Sequence, residues 1–217
     1  MKSQQSGFTL VEIAIVLVII GLLLGGILKG QELINSAKVK NLANDFRVVP
    51  TYIYAYQDKF KALPGDDPQV VAHVTGSTLA TTPASSQGNG VINGNWNSTT
   101  ATDESVLFWQ HVRLANLAAG PTVTTDADYY PKNAVGGRLG ITSATSTQTV
   151  GGLTGTYLVC SGGVLGRFAK QLDIQMDDGN TATGSMRVVP DGTATAGTAA
   201  ATTAVNDADN YQVCMAF

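Results

Sequence analysis

The chain has 217 residues, which is enough for one membrane anchor and one compact domain, or for two very small domains. Only 13% of the residues are charged, and 13 Lys and Arg against 16 Asp and Glu give a formal net charge of −3. This balance excludes the basic footprint of a nucleic-acid-binding protein. The 24 glycines indicate a loop-rich, exported domain that contains β-strands.

The chain begins with a short polar segment, Met1–Gly7, followed by an apolar run from Phe8 to Leu28. A helix over that run spans about 32 Å, close to the hydrocarbon thickness of a bilayer. Lys2 precedes the run and favours a cytoplasmic N-terminus. No small-residue cleavage pattern follows Leu28, so we expect the apolar run to stay in the mature protein.

Glu12 is unusual within this run, because a carboxylate is costly in lipid and indicates a function there. It needs a cationic partner, and no Lys or Arg lies nearby in the run. One candidate for this charge is the new α-amino group that cleavage between Gly7 and Phe8 would create, in the same chain or in a neighbour. A neighbour's amine makes Glu12 a register device, since an unpaired buried charge penalises misaligned packing.

The sequence from Gly7 to Ile13, GFTLVEI, resembles the prepilin signature of type IV pilins and type II secretion pseudopilins. The resemblance implies cleavage after Gly7 by an inner-membrane prepilin peptidase and N-methylation of Phe8. It also implies that Glu12 pairs with the Phe8 amine of an adjacent subunit and thereby sets the filament register. The resemblance covers roughly residues 1–60 and is much weaker afterwards.

By this resemblance, the protein is a subunit that crosses the bacterial inner membrane once, with a cytoplasmic N-terminus, before it polymerises. The product is an extracellular or periplasmic type IV pilus-like filament of sister subunits, used for adhesion, motility or DNA uptake. The implied partners are the prepilin peptidase, an inner-membrane platform protein and an assembly ATPase. A type II secretion pseudopilin is one alternative, and an anchored exported protein that does not polymerise is another.

No enzymatic activity is predicted, because the chain has neither a phosphate loop nor a nucleophile motif. No metal-ligand spacing joins its two histidines to its cysteines, and no direct contact with nucleic acid is predicted.

The sequence divides into a leader at 1–7, a transmembrane and filament-core helix at 8–28, an amphipathic continuation at 29–61 and an exported globular domain at 62–217. In the continuation, apolar residues recur at intervals of three and four. This apolar stripe consists of Val39, Leu42, Phe46, Val49, Ile53, Tyr56 and Phe60. Packing against the C-terminal domain is the preferred interpretation, and a coiled coil is the alternative. Pro50 predicts a bend, and Leu63–Pro68 ends the helix.

The remaining sequence predicts an α+β fold, a long N-terminal helix followed by a small C-terminal antiparallel sheet. This agrees with the type IV pilin-like fold that the resemblance implies, in which the long helix packs on the sheet. Residues 69–101 are expected to form a long loop, and a helix follows from Thr102 or Asp103 to Gly120. Strands are expected at Tyr157–Cys160, Ser185–Val189 and Tyr211–Phe217, with a Thr-, Ala- and Gly-rich loop at Gly192–Val205. Phe168–Met176 fits a strand or a helix, and we prefer the helix.

Cys160 and Cys214 are the only cysteines, and an even count in an exported domain favours a disulfide over two buried thiols. Asp177 and Asp178 are candidate calcium ligands, although the sequence Asp-Asp-Gly-Asn equally fits a turn. Gly88–Asn95 fits calcium less well, because it has amides where such a loop needs carboxylates.

Overall fold

The computed structural model describes Gly7 and residues 9–145, 150–193 and 197–217. It divides into two compact units, Met1–Lys38 and Val39–Phe217, called here the N-terminal unit and the C-terminal unit. Helix α1 runs from Leu10 to Phe60 and contributes to both units. The other elements in chain order are α2 (Val70–His73), α3 (Glu104–Leu114), β1 (Leu139–Ser143), β2 (Tyr157–Leu165), α4 (Gly166–Met176), β3 (Met186–Pro190), a 3₁₀ turn (Thr202–Ala204) and β4 (Asn210–Ala216).

In the C-terminal unit, the apolar stripe of α1 is a face of the main core. Its first six members are at most 4% exposed, and Phe60 packs against them partly buried. They share this core with sheet residues that include Val159 and Val213. The preferred interpretation of the stripe is therefore confirmed, and the coiled coil is not needed to explain it. Pro50 lies inside α1 and is buried, and the bend expected there stays a prediction.

The four strands form one antiparallel sheet in the order β1-β2-β4-β3. Successive side chains of a strand point to opposite faces, and this sheet buries apolar residues on both. Val159 faces the main core with α1, whereas Leu158 and Cys160 face a second cluster that contains Trp96 and Val189. The α+β fold with a long helix packed on a small antiparallel sheet is confirmed.

Strand β1 was not predicted from the sequence. All five of its residues are buried, so the alternation that marks a half-exposed strand is missing. Gly140 interrupts the apolar pattern for a packing reason, because a Cβ there would lie 2.1 Å from the carbonyl oxygen of Trp96.

Other elements differ from the prediction mainly in extent. Helix α2 forms inside the region expected to be a loop, and β2 continues beyond Cys160 to Leu165. The ambiguous segment after β2 is helical, as preferred, from Gly166 to Met176. Residues 194–196 of the expected Gly192–Val205 loop lie outside the described residues.

Cys160 and Cys214 lie directly opposite each other in β2 and β4 and form a disulfide. Both are at most 1% exposed, in the second apolar cluster. The bond links the last strand of the chain to the long central strand, 54 residues earlier.

Candidate assembly segment and buried polar sites

Within the N-terminal unit, α1 exposes apolar side chains around its whole circumference. The large apolar residues from Leu10 to Leu28 are between 46 and 87% exposed. Among the described residues, α1 is the one helix that is long and apolar enough to cross a membrane, although a signal sequence passes the same test. Burying one large aliphatic side chain contributes roughly 1.5–3 kcal/mol, so this segment needs lipid or other helices around it.

Glycines along the exposed segment have no packing role among the residues that the structure describes. A Cβ placed at Gly21, Gly25, Gly26 or Gly30 would meet no atom of the described residues within 4 Å. Each glycine in a helix interior costs about 1 kcal/mol relative to alanine. Contacts made by the described residues do not offset that cost.

Thr9 and Glu12 form a capping box at the start of α1. The Glu12 carboxylate accepts bonds from the Thr9 N–H at 2.8 Å and from the Thr9 hydroxyl at 2.6 Å. In return, the Glu12 N–H donates to the Thr9 hydroxyl oxygen at 3.3 Å. This reciprocal pattern satisfies two donors at the helix terminus. The T-x-x-E spacing is the sequence signal of a capping box. Glu12 therefore has an intrachain hydrogen-bond partner in Thr9, which the prediction of a cationic partner did not include.

Gly7 is exposed, and no packing contact within the described residues requires glycine at this position. A Cβ there would contact none of the described residues within 4 Å. Phe8, the residue predicted to be methylated, lies outside the described residues. The predicted roles of Gly7 and Phe8 in cleavage therefore stay predictions.

Residues 2–28 match the family model for the prokaryotic N-terminal methylation motif, which is the signature of type IV pilins and pseudopilins. Neither the curated proteins nor the solved structures contain a significant match to the chain. The motif and the long apolar helix indicate a single-pass, membrane-anchored prepilin substrate of pilin-like or pseudopilin-like type. The motif also implies processing by a prepilin peptidase and assembly into a pilus or pseudopilus machine. Subunits of this kind are structural and typically non-enzymatic.

Asp67 is the centre of a buried polar cluster in the C-terminal unit. Its carboxylate accepts the Tyr56 hydroxyl at 2.9 Å and the Gln69 N–H at 2.9 Å, and one oxygen lies 2.7 Å from His73 Nδ1. A cavity of about 590 Å³ opens beside this cluster. These bonds fix the end of α1 to the segment that follows it. The contact between His73 and Asp67 therefore has a structural role.

His111 is completely buried on α3 between two backbone groups. Its Nδ1 accepts the Gly65 N–H at 2.9 Å, which requires Nε2 to carry the proton and donate to the Thr78 carbonyl oxygen, also at 2.9 Å. Gly65 has a φ of +91°, and a Cβ there would lie 2.5 Å from the Glu104 carbonyl oxygen. The imidazole therefore bridges segments that are distant in sequence.

Burial lowers the pKa of His111 to about 4. The folded state then binds fewer protons than the unfolded chain, whose histidine pKa is about 6.5. The neutral His111 side chain therefore makes its full contribution to the free energy of unfolding above pH 6.5. As the pH falls through 4, that free energy decreases by on the order of 3 kcal/mol. We expect ¹⁵N NMR of histidine-labelled full-length protein in detergent to show a neutral Nε2–H ring for His111 down to about pH 4.5.

The chain has two histidines, so a His73→Gln variant assigns the His111 resonance and serves as the control. An Nδ1–H tautomer, or half-protonation near pH 6.5, would contradict this assignment of the hydrogen bonds.

Asp177 and Asp178, the candidate calcium ligands, lie at the C-terminal end of α4, where Asp173 joins them. Asp177 accepts the Met186 N–H at 2.7 Å, and Asp178 accepts the Asn180 N–H at 2.8 Å. Burial and the two neighbouring carboxylates raise the pKa of Asp173 to about 6, while the Gly179 N–H acts in the opposite direction. Sequence analysis missed Asp173, although its four-residue spacing from Asp177 places both on one face of the predicted helix.

Proposed function

We propose that this protein is a prepilin subunit that is cleaved after Gly7, methylated at Phe8 and polymerised into a type IV pilus-like filament. The observation that carries the proposal is an apolar helix, exposed from Leu10 to Leu28, that coincides with the N-terminal methylation motif. The C-terminal unit has a complete core of its own. The exposed segment is therefore a surface available for assembly, and its removal would leave that core intact.

In this proposal, residues 1–7 are the leader and residues 8–28 lie in the inner membrane, with the N-terminus in the cytoplasm. A platform protein and an assembly ATPase extract the subunit, and contacts with sister helices replace those with lipid. Glycines at which a Cβ would meet none of the described residues let helices approach closely, as small residues do between membrane helices. Residues 29–61 continue the helix, and residues 62–217 form the exported domain on the filament surface.

Mass spectrometry of the protein purified from its host tests the processing step. We expect a mature chain that begins with N-methylated Phe8 in normal cells and an uncut chain in cells that lack the prepilin peptidase. Gly7→Leu is a suitable variant, because Gly7 contacts no described residue and the change should leave the C-terminal unit folded. An uncut Met1 in normal cells would refute the proposal and favour a plain anchored protein.

A type II secretion pseudopilin is the second candidate, because the matched motif is common to both classes. Deleting the gene distinguishes the two. Loss of surface filaments, with exoprotein secretion intact, supports the pilus. Loss of secretion, with surface filaments intact, supports the pseudopilin.

A further inference from the structure

We propose that Asn89 is a site of self-modification, at which the backbone nitrogen of Gly90 attacks the side-chain amide and converts the asparagine to aspartate and isoaspartate. In this proposal Asp66 accepts the proton of Gly90, whereas Asn93, which precedes Gly94 in the same loop, is protected. The reaction goes beyond the proposed filament function, because it requires neither cleavage nor polymerisation.

The backbone nitrogen of Gly90 lies beside a proton acceptor. Its N–H donates to Asp66 Oδ2 at 2.7 Å, so the carboxylate contacts the group that must lose its proton during the attack. Gly90 is exposed, and a Cβ there would meet none of the described residues within 4 Å. Glycine has no side chain that crowds its nitrogen, and it retains the backbone freedom that ring closure needs.

The side-chain amide of Asn89 is both oriented and polarised. Asn89 is exposed, and its Oδ1 accepts the Val91 N–H at 2.8 Å. This turn folds the side chain back over the backbone that follows it. The Val91 donor also stabilises the negative charge that develops on Oδ1 during the attack, as donors do in an oxyanion hole.

Asp66 has the environment of a general base. Its side chain is 2% exposed, and its carboxylate accepts the N–H groups of Gly88, Asn89 and Gly90. Burial raises the pKa of Asp66, and the charge of Asp67 acts in the same direction, while the three N–H donors oppose both. A raised pKa makes a carboxylate a stronger proton acceptor at neutral pH.

The reaction needs water but no oxidant or reductant. The Gly90 nitrogen bonds to Cγ of Asn89 while its proton passes to Asp66, and that proton then leaves with the side-chain amino group as ammonia. Water opens the resulting succinimide ring at the side-chain carbonyl to give aspartate, or at the backbone carbonyl to give isoaspartate. Isoaspartate routes the chain through Cβ, so it displaces the N–H groups that bind Asp66.

Asn93 and Gly94 repeat the same dipeptide in a protected environment. Asn93 is partly buried, and its Nδ2 donates to Glu104 Oε2 at 3.0 Å and to the Val91 carbonyl oxygen at 3.3 Å. These bonds must break before the amide can turn towards Gly94. A carboxylate at position 93 would also repel the buried Glu104, because like charges disfavour each other's ionised forms. Asn93 is therefore an internal control for Asn89.

Peptide mapping of full-length protein, aged in detergent at neutral pH, tests the site by mass spectrometry with fragmentation that distinguishes aspartate from isoaspartate. We expect Asn89 to react at least tenfold faster than Asn93. In guanidinium the chain loses both environments, so the rate at Asn89 should fall, the rate at Asn93 should rise and the two should converge. Equal rates in the folded protein, or a slower reaction of Asn89 there than in guanidinium, would overturn the proposal.

Asp66→Asn tests the proton acceptor, because asparagine keeps an oxygen for the N–H donors but does not take up a proton at neutral pH. The rate at Asn89 should fall at least tenfold. Asp58→Asn changes an exposed carboxylate on α1 and should react as the wild type does. An unchanged or faster reaction of Asn89 in a folded Asp66→Asn protein would refute the role of Asp66 and with it the proposal.

The pH dependence of the wild type tests the same role if Asp66→Asn does not fold. Attack driven by hydroxide accelerates with every rise in pH, whereas an ionised Asp66 is equally available at each pH. Between about pH 6 and pH 8, the rate at Asn89 should therefore change less in the folded protein than in guanidinium, and equal slopes would contradict the proposal. Within the described chain, the titratable groups that act on Asp66 or line the adjoining cavity are Asp67, Glu104 on α3, Tyr157 on β2, Lys61 and His73.

Discussion

Replacing Cys160 and Cys214 together with alanine is expected to lower the free energy of unfolding of the C-terminal unit by about 4 kcal/mol. The bond closes a loop between residues 54 apart, and breaking it restores the conformational freedom of that loop in the unfolded chain. Guanidinium unfolding followed by tryptophan fluorescence measures this change. Trp96 and Trp109 are both buried in the C-terminal unit, so the signal reports on that unit.

Reducing agent provides the matched comparison for the disulfide. The wild type under reducing conditions should approach the stability of the double variant, and Cys214→Ala alone should lose about as much as the pair, because one bond is broken in each case. Val189→Ala removes methyl groups from the same apolar cluster and should remain sensitive to reductant. A double variant within 1 kcal/mol of the wild type would contradict the expected role of the bond.

The long helix and its buried face were predictable because one element carries a regular signal over many residues. The stripe from Val39 to Phe60 repeats at helical spacing, and an amphipathic helix of that length packs its apolar face on a core. The prepilin signature was equally local, since Gly7, Phe8 and Glu12 lie within one short segment. Strand β1 gave no such signal. Gly140 interrupts its apolar pattern because a larger residue would collide with Trp96, and that contact exists only in the folded chain.

The buried polar groups were harder to predict, because their partners are distant in sequence. His111 forms hydrogen bonds with the backbone of Gly65 and Thr78, and no residue spacing in the sequence predicts these contacts. Asp173 was hidden for a different reason. Its neighbours Asp177 and Asp178 resemble a turn, and the relation of Asp173 to them becomes visible only once α4 is treated as a helix.

Glu12→Gln is expected to be processed normally but to reduce filament yield at least tenfold, which separates two roles of this residue. In the single chain, Glu12 caps α1 through Thr9, and a glutamine can replace glutamate in a capping box. In the proposed filament, Glu12 pairs with the Phe8 amine of a neighbour, and a neutral side chain leaves that amine uncompensated. Removing one partner of a buried ion pair costs roughly 3–5 kcal/mol.

The capping role alone predicts the opposite ranking of variants. Thr9→Val removes the hydroxyl that bonds Glu12 in both directions, at a cost of about 1 kcal/mol, and leaves the charge in place. If Glu12 sets the register, Thr9→Val should assemble nearly as well as the wild type, whereas Glu12→Ala and Glu12→Gln should both fail, most clearly beside wild-type subunits. If Glu12 only caps the helix, Glu12→Gln should assemble normally and Thr9→Val should show the larger defect.

Counting sheared filaments by electron microscopy, with mass spectrometry of the cleaved N-terminus as the processing control, decides between these rankings. The outcome determines whether the cost of placing a carboxylate in the apolar run is offset within one subunit or between two.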